Sequence, residues 1–159
     1  MDTKIKQNEG LKLHGVWRFT IRDAATGKIK RVQEYKNLIP TIGRRQIAKG
    51  LSGGFIVVAE AAINFTSLGS GTNAPANGDT QLQTEVFRKT VASNTFSANQ
   101  LFVTAFYTAT EAVGTHREAG LHINGTVTVN SGILFSRVAI NVVKSATETL
   151  TIDYSISFT

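Results

Sequence analysis

Leu150-Thr-Ile-Asp-Tyr-Ser-Ile-Ser-Phe158 carries the cleanest alternation of apolar and polar residues in the chain. Every second residue from Leu150 to Phe158 is apolar, and the positions between them hold only threonine, serine and aspartate. Successive side chains of a β-strand point to opposite faces of a sheet, so this pattern predicts a strand with one buried face.

The same period recurs near the N-terminus, where Trp17, Phe19 and Ile21 alternate with arginine and threonine. Residues 23–27 have a turn composition that ends in glycine, and residues 28–35 return as a second strand, which predicts a β-hairpin. The hairpin either forms a small lobe of its own or supplies the first strands of the main sheet structure.

One short helix is predicted directly after the hairpin. Asn37-Leu-Ile-Pro40 interrupts the strand pattern, and Thr41 is in position to cap a helix that runs to about Lys49. Glycines within residues 50–54 end this helix. Residues 55–62 are apolar and fit either a helix or a strand.

Short strands with turn residues between them fill the rest of the chain. Asn124-Gly125 is the strongest signal for a tight hairpin, and residues 69–80 have a loop composition. These features predict a mainly β fold: an antiparallel β-sandwich, jelly-roll-like, with an N-terminal hairpin and one short helix. The predicted strands after the helix are residues 63–68, 86–92, 101–107, 117–123, 126–129, 133–143 and 150–158.

The length of 159 residues favours one domain. We expect residues 1–10 to form a flexible or extended docking arm and residues 11–159 to form a single β-rich domain. Residues 11–54 then hold the basic hairpin and the helix, and residues 55–159 hold the sandwich body. The sequence opens without the apolar stretch of a secretory signal and has no apolar run of the ~20 residues that a membrane span needs. We therefore expect synthesis in a cytosol and no membrane insertion.

Positive charge is concentrated at the front of the chain. Residues 1–50 contain 12 Lys and Arg against 4 Asp and Glu, a net charge of +8, whereas residues 51–159 contain 5 against 7, a net charge of −2. A basic segment on a nearly neutral body favours docking on an acidic neighbour. Phosphate groups would attract the same charge, but the nearby aromatic residues fit the hairpin core, so nucleic acid is the less favoured partner. We predict that residues 1–22 and 28–36 form the docking surface, with Lys12, Arg18, Arg22, Lys28, Lys30, Arg31 and Lys36 as its charged residues.

No catalytic, cofactor or metal site is predicted. The chain has no cysteine, which excludes disulfides, thiolate metal ligands and cysteine nucleophiles. Gly69-Ser-Gly71 lacks the third glycine and the following helix of a dinucleotide-binding loop, so a surface loop is the favoured interpretation. His116 and His122 could share a strand face, yet a metal ion needs three or four converging ligands. The sequence also lacks the Gly-x-Ser-x-Gly turn of a serine hydrolase.

Two carboxylates lie beside arginines in this charge-poor body. Glu85 and Glu118 are the candidates for a glycosidase pair of carboxylates. An adjacent cation lowers the pKa of a carboxyl group and makes it a poor general acid, so structural ion pairs are the favoured interpretation. The residues predicted to form these pairs are Glu85, Arg88, Glu118, Arg137 and Lys144.

Several short motifs precede the terminal alternating strand in a defined order. They are Asn37-Leu-Ile-Pro-Thr-Ile-Gly43, Leu68-Gly-Ser-Gly-Thr-Asn-Ala-Pro75, Asp79-Thr-Gln-Leu82, Glu85-Val-Phe-Arg88, Arg117-Glu-Ala-Gly-Leu121 and Ser136-Arg137. With these motifs, over about residues 16–159, the chain resembles a widespread group of small tailed-bacteriophage virion structural proteins. The resemblance implies a non-enzymatic role in the virion after synthesis in the host cytoplasm, and it implies no catalytic residues.

The resemblance and the charge distribution together predict a virion protein that forms a homo-oligomer, with a trimer as one arrangement, and docks on other virion proteins. Two placements stay open: a tail or baseplate component associated with fibres, and a decoration protein on the capsid. The alternative function is a carbohydrate-binding or host-receptor-binding β-sandwich module. The long loop at residues 69–80 favours this alternative, and the lack of aromatic residues in that loop counts against it.

Overall fold

The strands of the computed structural model, which describes residue 10, residues 12–54 and residues 61–159, follow the alternating stretches of the sequence. These residues form nine strands and one helix, and every strand pair is antiparallel. In chain order the elements are β1 (Leu13–Asp23), β2 (Ile29–Lys36), α1 (Thr41–Leu51), β3 (Ile63–Gly69), β4 (Glu85–Thr90), β5 (Ser93–Ser97), β6 (Gln100–Tyr107), β7 (Gly114–Ile123), β8 (Ile133–Lys144) and β9 (Glu148–Phe158).

The strands build two sheets that pack together as a sandwich. Sheet A has five strands in the order β2-β1-β9-β6-β5, and sheet B has four in the order β4-β3-β7-β8. The predicted mainly β sandwich with one short helix is therefore confirmed. The hairpin β1–β2 belongs to sheet A rather than to a lobe of its own, because β1 pairs with β9 over the full length of both strands.

The apolar faces predicted from the alternation meet between the two sheets. Trp17 and Phe19 of β1 and Tyr154 of β9 are almost completely buried, and the rings of Trp17 and Tyr154 pack edge to face with their centres 5.2 Å apart. Leu121 and Val142 face them from sheet B in the same core. Burying a large apolar side chain contributes about 1.5–3 kcal/mol, so these strand faces drive closure of the sandwich.

Two local predictions are wrong, and one strand of the structure has no counterpart among the predicted elements. Thr41 is the first residue of α1 rather than its cap, since the Thr41 N–H donates to the carbonyl oxygen of Asn77 at 2.9 Å. Residues 126–129 form no strand, because Nη1 of Arg88 on β4 donates to the carbonyl oxygen of Thr126 and holds this segment in a loop. The strand β5 was not predicted, because Phe96 is its single apolar residue.

The connection from β7 to β8 is longer than the tight turn predicted for it. Asn124 does adopt a left-handed conformation with φ +52°, but the connection from β7 to β8 occupies residues 124–132 rather than a two-residue turn. Residues 55–60 of the ambiguous apolar segment and residues 1–9 of the predicted arm lie outside the described residues. Within the described ranges, α1 is the sole α-helix, and it is too short and too polar to cross a membrane.

Candidate functional site

A buried carboxylate, Glu118 on β7, organises the loop between β3 and β4. Its Oε1 accepts hydrogen bonds from the backbone N–H groups of Gly71 and Thr84 at 3.1 and 2.7 Å. Its Oε2 accepts from the Gln83 N–H at 3.0 Å and from Nε and Nη2 of Arg137 at 3.1 and 2.8 Å. Five donors therefore converge on one fully buried side chain, which leaves little acceptor capacity for a substrate.

Arg137 on β8 extends this cluster to the far part of the same loop. Its Nη1 donates to Oδ2 of Asp79 at 2.6 Å, and its Nη2 also donates to the carbonyl of Asn73 at 3.1 Å. Leu82, at the end of the loop, is buried and lies against Gly120 of sheet B. The predicted surface loop is thus a cover that is tied down on the outer face of sheet B.

The Gly69-Ser-Gly71 motif has a structural explanation in this cluster. A Cβ atom at either glycine would overlap the Glu118 carboxylate, and at Gly69 it would lie 2.6 Å from Oε1. Glycine lets the backbone approach another group closely because it has no side chain. Here the approaching group is a protein carboxylate, so the motif needs no nucleotide to account for it.

A second buried ion pair joins Glu85 and Arg88 on β4. Nη2 of Arg88 donates to Oε2 of Glu85 at 2.9 Å, and Nε contacts the other carboxylate oxygen. Nη1 of Arg88 donates to the carbonyls of Thr126 and Ser131 at 2.8 and 3.1 Å, which fixes the loop between β7 and β8. The guanidinium also lies 5.7 Å from the centre of the Phe65 ring, within cation–π range.

Lys144 is held by backbone carbonyl groups rather than by the ion pair predicted for it. Its buried ammonium donates to the carbonyl oxygens of Ala109 at 2.8 Å and Ser145 at 3.4 Å, so backbone dipoles hold it. Burial lowers the pKa of this ammonium group.

Both histidines of β7 are buried in the structure. Nε2 of His122 lies 2.7 Å from Oγ of Ser67, and burial lowers the pKa of His122 to about 4. Nε2 of His116 donates to the carbonyl of Ala112 at 2.8 Å, and burial lowers its pKa as well. In the part of the chain that the structure describes, no three His, Cys, Asp or Glu side chains gather where they could hold a metal ion.

A hydrogen-bond hub that sequence reasoning missed joins the two sheets at Ser136 of β8. Its Oγ accepts from Nε1 of Trp17 at 3.2 Å and from Nδ2 of Asn37 at 3.0 Å. Asn37 also donates to the hydroxyl of Tyr154 at 2.9 Å. The signal was present in two motifs, Asn37-Leu and Ser136-Arg137, but nothing in the sequence showed that they meet.

The basic residues predicted for docking lie on the hairpin β1–β2 and just before it. Arg22 is partly buried and the other six are exposed. Lys30 and Arg31 flank the Glu148 carboxylate, at 3.5 and 3.2 Å. The Ser145 N–H and Arg31 hold the pKa of Glu148 at about 2. The hairpin therefore keeps most of its positive charge at the surface while anchoring part of it to β9.

An open apolar groove lies where α1 ends beside the β5–β6 hairpin. Its volume is about 310 Å³, and Leu51, at its rim, is 84% exposed. Phe96 of β5 pairs with the groove residue Leu101 and is itself 82% exposed. Other residues that line the groove are Ile47, Ile63, Asn94, Ile123, Phe135 and Phe158.

Comparison with protein-family models, with curated protein sequences and with solved structures finds no match to this chain.

Proposed function

We propose that this chain is a non-enzymatic structural protein of a tailed-phage virion, and that it docks on a larger assembly through the basic hairpin β1–β2. The observation that carries the proposal is the division of charge between buried and exposed positions. The buried carboxylates of Glu85 and Glu118 form ion pairs with buried arginines, whereas the exposed charge of the hairpin is mostly positive. The order of the sequence motifs supports the phage assignment, and the proposal covers both the tail and the capsid placement.

The position of the hairpin suits a docking role. In the part of the chain that the structure describes, β2 is an outer strand of sheet A, so its unpaired edge and its exposed side chains are open to a neighbour. Arg18 lies 3.9 Å from Glu34 across the hairpin, and both side chains are more than half exposed, so this pair contributes little to stability and can be exchanged for an external partner. Lys28 and Lys36 are exposed at the two ends of the hairpin region.

The proposal is tested by reversing charge on the hairpin. In a Lys28→Glu/Lys36→Glu variant, we expect occupancy on particles that lack the native protein to fall by about tenfold or more at physiological salt, because like charges would face an acidic surface. The matched control is Arg45→Glu/Arg117→Glu, which changes net charge equally at exposed positions outside the hairpin. Occupancy is measured by co-sedimentation of the full chain with the particles. Equal loss in both variants, or loss in neither, would refute docking through the hairpin.

A second candidate is a carbohydrate-binding or receptor-binding module, and one observation favours it. Phe102 and Phe106 of β6 are 37% and 42% exposed on the outer face of sheet A, and their four-residue spacing places them about 13 Å apart. Asp153 lies between them across the sheet, where its Oδ1 accepts from the Thr104 hydroxyl at 2.8 Å. Aromatic rings beside polar groups can stack on sugars, and a glycan array tests this. Binding that disappears in Phe102→Ala/Phe106→Ala would support this candidate, and no binding to any glycan would reject it.

A further inference from the structure

Among the described residues, β5 is an outer edge of sheet A that lacks the charged residues and proline that usually protect such edges. Exposed edges are commonly blocked by charged residues or proline, since their free N–H and C=O groups otherwise pair with another strand. All of Ser93–Ser97 is exposed, and no charged residue or proline occurs from residue 90 to residue 110. The other edge of the same sheet, β2, contains Lys30, Arg31 and Lys36.

We propose that β5 is a self-association edge, at which a second copy of this chain adds its own β5 antiparallel about a two-fold axis. The two copies of sheet A then form one continuous sheet of ten strands. The inference goes beyond the docking role proposed above: it gives the predicted homo-oligomer a specific contact, and it commits that oligomer to a dimer rather than a trimer.

The register of such a pair is self-complementary. If Thr95 faces Thr95 of the second copy, Phe96 lies opposite Asn94 of the second copy, and facing residues of antiparallel strands point to the same side of the sheet. Asn94 lines the apolar groove, and Asn94 and Phe96 share one face of β5. Each Phe96 ring would therefore cover the groove of the other copy, which accounts for an aromatic side chain that is otherwise 82% exposed.

The charge distribution favours a second copy at this edge and disfavours it at β2. Pairing two β2 strands would bring like charges together. Pairing at β5 instead leaves the two β2 strands at opposite ends of the ten-stranded sheet, about 43 Å apart at the usual strand spacing. That distance is several times the screening length of about 8 Å at physiological salt, so the positive hairpins do not repel each other appreciably.

Sedimentation equilibrium of the purified full chain tests the inference. We expect a monomer–dimer equilibrium with a dissociation constant in the micromolar range, since one short strand and one aromatic ring per copy make a small interface. A Phe96→Lys variant should weaken the dimer by at least about tenfold, because it removes the ring and places a charge on the edge. The matched control is Val127→Lys, which adds the same charge at a side chain that is 83% exposed in the β7–β8 loop.

The outcomes separate cleanly. A chain that stays monomeric at about 200 μM, that forms a trimer, or that dimerises equally well with Phe96→Lys overturns the inference. If Phe96→Lys alters the circular dichroism spectrum, Thr95→Lys replaces it, because it sets two lysines face to face on the other side of the strand. A monomeric chain that still occupies particles contradicts the edge pairing alone, and a dimer that fails to occupy particles contradicts the docking proposal alone.

Discussion

Replacing Glu118 by glutamine should reveal how much the buried Glu118–Arg137 cluster beneath the β3–β4 loop contributes to the free energy of unfolding. An amide retains one acceptor oxygen and turns two N–H donors toward groups that are themselves donors, so at least two of the five hydrogen bonds are lost. Arg137 would keep only its contact with Asp79 as a charged partner. Removing one member of a buried ion pair costs about 3–5 kcal/mol, so we expect a loss of that size in the free energy of unfolding.

Urea unfolding followed by circular dichroism measures this loss against two controls. Asp79→Asn weakens the partly exposed ion pair between Asp79 and Arg137 in the same cluster, and it should cost about 1–2 kcal/mol. Glu111→Gln disturbs an ion pair with Lys89 whose side chains are about 30% exposed, and it should cost less than about 1 kcal/mol. If Glu118→Gln is no more destabilising than Glu111→Gln, the buried carboxylate does not stabilise the fold as proposed. Full stability of Glu118→Gln together with the loss of an enzymatic activity would also contradict a structural role for Glu118.

Three further predictions concern buried groups elsewhere in the sandwich. Burial lowers the pKa of His122 to about 4 from an ordinary 6.5. Between these pH values the unfolded chain binds more protons than the folded chain, so the free energy of unfolding should rise from pH 4 to pH 6.5. The variant His122→Asn should show a smaller rise over the same range. Glu148, with a pKa of about 2 against 4.5, should lose its stabilising contribution as the pH falls from 4.5 to 2, and Glu148→Gln should remove that loss. Ser136→Ala should cost about 1–3 kcal/mol in urea unfolding, because Trp17 and Asn37 lose their shared acceptor.

Each of these predictions has a definite contrary result. A His122→Asn variant with the slope of the parent chain between pH 4 and 6.5 would show that another group controls it. Equal acid sensitivity of Glu148→Gln and the parent below pH 4.5 would show that the contacts with Ser145 and Arg31 do not stabilise the charged carboxylate. The matched control for Ser136→Ala is Ser97→Ala at an exposed position of β5. Equal stability of the two variants would show that the hydrogen bonds accepted by Ser136 do not stabilise the fold.

Alternation predicted the strands whose two faces differ in polarity. Trp17, Phe19 and Tyr154 occupy the predicted buried face because the period of the sequence matches the period of a strand. The same method could not find β5, since Phe96 is the one apolar residue there and its backbone pairing with β6 leaves no trace in polarity. It also overestimated the tight turn at Asn124-Gly125, because the position of the loop depends on Arg88, which is remote in sequence.

The candidate site was predictable as a set of residue types but not as a geometry. Glu85 and Glu118 each lie near an arginine in the sequence, and structural ion pairs were the favoured interpretation in a body of low charge. The three backbone donors to Glu118 come from a loop whose path depends on Leu82 packing against sheet B, and no local pattern encodes that path. Lys144 was misassigned because a carbonyl acceptor has no sequence signature. The motifs that carry the resemblance supply the Glu118–Arg137 cluster and the Glu85–Arg88 pair, which fix loops on sheet B, and the Ser136 hub, which joins the two sheets.

The pairing of β1 with β9 has a consequence for the order in which the molecule is made. Each pair in this ladder joins residues more than a hundred positions apart, as with Trp17 and Tyr154. Contacts of such long range slow folding, and they cannot form on the ribosome until β9 has been synthesised. A nascent or truncated chain therefore presents the apolar face of β1 uncovered, as a target for chaperones and proteases. The hairpin β1–β2 completes its pairing within sheet A only once β9 is present, so a truncated chain would lack the surface on which the proposed docking depends.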